Sequence, residues 1–96
     1  MRHMDRYTIN KEERFYIMAE DLIFKTDKGF CGKAVDRLAQ FEAMFEALVK
    51  NQEMMSKELE KMRLEGKSKS LRFKEMMTKK LIESNMIIYF KMNGIE

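Results

Sequence analysis

The side chains best placed to do chemistry are eight cations crowded into residues 61–80. They are Lys61, Arg63, Lys67, Lys69, Arg72, Lys74, Lys79 and Lys80, set against only Glu65 and Glu75. The segment carries a net +6, while residues 1–60 come to −2 and residues 81–96 to −1, so the whole formal charge of +3 originates here. A cluster of one sign is suited to phosphate oxygens or to an acidic face of another protein. The plainer alternative is that these lysines only solvate an exposed segment. For nucleic acid the contact would be made with phosphates. A reading helix must present polar side chains to base edges, and Leu81 to Met92 offers mainly Glu83, Asn85 and Lys91 on an otherwise apolar surface. Such binding is sequence-independent and salt-sensitive.

Other reactive groups are sparse. Gly29-Phe30-Cys31-Gly32 is the nearest thing to a loop bearing a nucleophile, but the only histidine, His3, sits in the N-terminal segment that reads as a cloning remnant, and a thiol without a base reads as a small buried hydrophobe. Carboxylate pairs such as Glu12/Glu13 and Glu20/Asp21 fall where solvated acids are expected. One cysteine makes no internal disulfide and, with one histidine, no zinc cluster. No phosphate-cradling glycine loop or nucleophile–base pair is present in the sequence, so the expectation is a non-enzyme with no catalytic residue, metal or cofactor.

These groups must be positioned by helices if composition is a guide. The 96 residues contain no proline and eleven methionines, and proline breaks helix interiors while methionine forms helix well. Hydrophobic residues at 45% and charged residues at 36% are globular values. The longest apolar run is Met86 to Phe90, too short for a bilayer span, and no membrane partner is expected. The lone cysteine and the polar start without a cleavable leader lead to a cytoplasmic expectation. His3-Met4 reads as a cloning junction, which would make residues 1–3 a remnant.

Three helices are expected. Asn10 and Glu13 have capping-box spacing, and Phe15, Met18, Ala19, Leu22 and Ile23 follow on one stripe, predicting a first helix over 10–25 after a flexible 1–9. Ala34, Leu38, Phe41, Phe45, Leu48, Gln52, Met55, Leu59 and Met62 then alternate steps of four and three, a heptad seam predicting a second, coiled-coil-like helix over 33–65 with Gly66 as its stop. Ser70 can cap a third helix over 70–93, with Gly94 left-handed and Ile95 folding back on Phe90. The expected fold is therefore all-α: one domain over 1–96, an antiparallel hairpin of the second and third helices with a projecting arm, and the first helix packed on its base. The core is placed in that base, around Phe41 and Phe45 beside the apolar end of the third helix.

The functional expectation is a non-catalytic helical protein–protein interaction module, a small adaptor or inhibitor of the phage or mobile-element type. It would act through the basic hairpin arm on an unidentified protein partner and through self-association as a homodimer. The self-association seam is placed at Gln52, Met55, Leu59, Met62, Phe73, Met76 and Met77, the methionines serving either as core or as an adaptable surface. The alternative is a nonspecific nucleic-acid binder that uses 61–80 for phosphate contacts.

Overall fold

A computed structural model describes residues 4–96; residues 1–3, the segment read as a cloning remnant, lie outside the described residues. Two helices follow two small antiparallel sheets, in the order β1 (Ile9–Lys11), β2 (Arg14–Tyr16), β3 (Phe24–Thr26), β4 (Gly29–Cys31), α1 (Lys33–Leu64) and α2 (Leu71–Met92). The all-α expectation is thus wrong, and so is its first helix: residues 10–25 hold β2 and most of β1 and β3.

The first hairpin pairs Ile9 with Tyr16, Asn10 with Phe15 and Lys11 with Arg14, leaving Glu12-Glu13 as a two-residue turn. Both turn residues have positive φ, 52° and 69°, the backbone that tight hairpins require to match strand twist. Asn10 therefore pairs across a ladder, and Glu13 turns the chain; neither caps a helix. Aromatic and β-branched side chains at Ile9, Phe15 and Tyr16 suit the pleated geometry. The second hairpin pairs Phe24 with Cys31, Lys25 with Phe30 and Thr26 with Gly29 around Asp27-Lys28. Thr26 Oγ1 fastens that turn, donating to the Gly29 carbonyl at 2.9 Å and accepting from the Lys28 N–H at 3.2 Å.

Gly32 joins β4 to α1 at φ 127°, and a Cβ there would lie 2.7 Å from the Leu22 carbonyl carbon and 3.1 Å from Ile23 Cα. Only glycine lets the backbones approach so closely. The Leu22 carbonyl accepts the Ala34 N–H at 2.9 Å, which ties the first turn of α1 to the preceding loop.

The chain divides into two compact units, Met1–Phe41 and Glu42–Glu96, with the boundary inside α1. In the first unit no described residue is fully buried. Arg37 supplies its main tie, stacking its guanidinium 3.6 Å from the centre of the Tyr7 ring and donating to the Asp5 carbonyl.

The second unit is an antiparallel helical hairpin. Its connector is built from side chains and turns whose signals stand in the sequence. At the end of α1, Gly66 takes φ 73°, its N–H bonds the Arg63 carbonyl at 3.0 Å, and the Lys67 N–H reaches the Met62 carbonyl at 2.8 Å, a Schellman closure. Ser70 then caps α2 by accepting the Phe73 N–H at 3.2 Å. At the far end Gly94 takes φ 82°, and the Ile95 N–H bonds the Phe90 carbonyl at 2.9 Å.

The core lies at the opposite end from the one expected. Leu48, Met55, Leu59, Met62 and Phe73 are the buried apolar side chains, and Leu59, Met62 and Phe73 cluster with Met76 near the connector. Phe41 is 41% exposed. Phe45 is half-buried and meets Phe90 edge-on, with centroids 5.6 Å apart. Apolar composition marked residues 86–92 as core, but burial follows the regular seam through residues 55–73, where two helices suffice to close over one stripe.

Candidate interaction surfaces

The hairpin that carries the basic segment holds its register with a polar layer. Gln52 Nε2 donates to the Lys80 carbonyl at 2.8 Å, and Asn51 Nδ2 donates to Glu83 Oε1 at 3.1 Å. Glu83 is buried at a seam position of α2, with Lys79 Nζ 4.0 Å from its other oxygen. A buried carboxylate is costly unless hydrogen-bonded, and a one-turn slip of α1 past α2 would take the Asn51 amide from Glu83 and the Gln52 amide from the Lys80 carbonyl. The layer therefore fixes which residues reach the tip.

The eight expected cations all lie around that tip, but not on one face. At about 100° per residue, Lys74 and Lys79 project some 140° apart on α2, whereas Arg72 and Lys79 share a side. Four of the eight are engaged within the hairpin. Arg63 lies 3.6 Å from Glu60 and over the Phe73 ring at 5.3 Å, Lys67 lies 3.3 Å from Glu65, Arg72 lies 3.9 Å from Glu58, and Lys79 approaches Glu83. The exposed pairs among these, Arg63–Glu60, Lys67–Glu65 and Arg72–Glu58, contribute at most about 1 kcal/mol each. Lys61, Lys69 and Lys74 are exposed, and Lys80 half-buried, and among the described residues none of the four has a carboxylate within 4.0 Å.

The expected self-association seam is mostly occupied already. Met55, Leu59, Met62 and Phe73 are buried inside the hairpin of a single chain, Met76 packs against them, and Gln52 is bonded to α2; only Met77 stays substantially open. The sulfur of Met77 lies 3.9 Å from an Arg63 guanidinium nitrogen. Apolar side chains outside the expected self-association seam are exposed instead: Leu81, Ile82, Ile88, Tyr89 and Met92 on α2. The apolar character of residues 86–92 was legible in the sequence, but it was read as burial.

Cys31 is half-buried and free, at the end of β4. Among the described residues, no three His, Cys, Asp or Glu side chains come together to hold a metal ion. In the first unit an apolar groove of about 540 Å³ runs between Tyr7, Ile17, Leu38 and Phe41, with Arg6 and Arg37 at its rim. No described helix is long and apolar enough to cross a membrane. Comparison with protein-family models, curated proteins and solved structures finds no match to this chain.

Proposed function

We propose that the protein is a non-catalytic helical interaction module, an adaptor or inhibitor that presents the basic tip of the α1/α2 hairpin to an acidic face of a partner protein and that self-associates. One observation carries the reading: Lys69 in the connector and Lys61 and Lys74 in the adjoining helix turns are exposed around a connector closed by its own caps and core, and among the described residues none has a carboxylate within 4.0 Å. A rigid support under unpaired cations lowers the ordering cost of binding. The same unpaired lysines support one second reading, phosphate contact without sequence preference, which needs positive charge but no shaped site.

The test reverses Lys61, Lys69 and Lys74 to glutamate, which takes the net charge from +3 to the opposite sign without touching a buried residue. Wild-type and reversed proteins are used as baits in extract of the native host. A protein band retained by the wild type in moderate salt and lost by the reversed form supports the adaptor or inhibitor reading. Nucleic acid that is retained at low salt and released, with ~10²-fold weaker affinity, on a fourfold rise in salt favours phosphate contact through about four charges. Identical captures by both baits leave the tip as solvation only.

A further inference from the structure

We infer that the outward face of α2, centred on Asn85, is a two-fold interface with a second copy of this chain, the two α2 helices running antiparallel. The inference rests on the self-association in the proposed function and replaces the seam first expected for it.

Two stripes run along α2. The inner one, Phe73, Met76, Lys80, Glu83, Ile87 and Phe90, alternates steps of three and four and faces α1. At about 100° per residue, Met77, Leu81, Asn85, Ile88 and Met92 fall on a second stripe, rotated by roughly 140° from the first, with Tyr89 and Ile82 on its flank. Met77, Leu81, Ile82, Ile88, Tyr89 and Met92 are between 40% and 74% exposed. Taking about 200 Å² for a large side chain in full exposure, this face offers ~700 Å² per chain. Two copies would bury at most about 1,400 Å², with Tyr89 and Ile82 fully covered at the edges, against the usual ~1,600 ± 400 Å² of a stable interface.

The pattern is self-complementary in one direction. With a two-fold axis at Asn85, Leu81 and Ile82 meet Tyr89 and Ile88 of the copy, Met77 meets the region of Met92, and the two Asn85 amides face each other. Charge selects the same direction. Parallel pairing would set the two +6 segments side by side, inside the ~8 Å Debye length of physiological salt. Antiparallel pairing moves each Lys74 about 33 Å along the axis from its copy, where the repulsion is screened and each basic tip remains open.

The test uses the full chain in a Cys31→Ser background. Asn85→Cys is expected to oxidise to a covalent dimer, since the axis brings its thiol to that of the copy. Thr78→Cys, on the same outward side of α2 but about 21 Å along the axis from its copy, is expected to stay reduced. Equal cross-linking of the two variants, or cross-linking of Thr78→Cys alone, overturns the inference. Light scattering at about 100 µM then compares the wild type with Leu81→Glu/Ile88→Glu. The wild type is expected at twice 11.6 kDa and the double variant at the single-chain mass with its helical signal kept. A wild-type dimer that survives the double substitution overturns this surface and leaves self-association standing; a wild-type monomer overturns both.

Discussion

Replacing Leu59 with alanine tests where the hairpin keeps its core. Leu59 is 2% exposed and packs with Met62, Phe73 and Met76. At about 0.8 kcal/mol per buried methylene, the three lost carbons cost ~2.4 kcal/mol, and the residual cavity adds about 1. Met62 and Met76 are flexible enough to lean into part of the space, so the expected cost is about 3 kcal/mol, or roughly 12–24 °C in Tm for a chain of this size. Leu64 supplies the control, being the same residue type on the same helix but 81% exposed; Leu64→Ala should cost under about 0.5 kcal/mol. Phe41→Ala, which heptad spacing would rank beside Leu59, should cost clearly less than Leu59→Ala because Phe41 keeps much of its ring in water. Urea unfolding followed by the helical circular dichroism signal reads all three. A Leu59→Ala cost below about 1 kcal/mol, or one no larger than that of Leu64→Ala, would refute a core centred on the connector end.

Four further variants probe the local geometry by thermal or urea unfolding. Glu12-Glu13→Asn-Gly should stabilise the first hairpin by about 1 kcal/mol, since both positions hold positive φ and the replacements accept it at little cost; an unchanged or lower stability counts against that turn. Gly32→Ala should cost about 3 kcal/mol, because its Cβ would drive into the Leu22 carbonyl. Gly29→Ala has open space around it and should cost only the ~1 kcal/mol of its backbone conformation, so equal effects at the two glycines would contradict the close approach. Ser70→Ala removes the cap on α2 and should cost about 1 kcal/mol.

The helical half of the chain was legible because its signals are long and redundant. A seam repeated over several turns places Leu48, Met55, Leu59 and Met62 on one face, and Gly66, Ser70 and Gly94 punctuate it with residues whose backbone or hydroxyl is needed there. The first forty residues lack that redundancy. Each strand is three residues long, too short for alternation to show, and a turn made by Glu12-Glu13 carries none of the asparagine or glycine that normally marks positive φ. The spacing of Phe15, Met18, Ala19, Leu22 and Ile23 imitated an apolar helix stripe, yet Phe15 and Met18 are exposed. The basic tip was legible as charge alone. The outward face of α2 was not, because an apolar stripe and a buried helix look alike in sequence until one knows what lies against them.

The most direct measurement is sedimentation equilibrium of the untagged wild-type chain between about 1 and 100 µM, at physiological and at high salt. The expected result is a mass approaching twice 11.6 kDa that holds or strengthens at high salt, because an apolar face is insensitive to screening while repulsion between the basic tips weakens. A single-chain mass throughout that range, or a dimer that dissociates as salt rises, would contradict a module assembled through the outward face of α2.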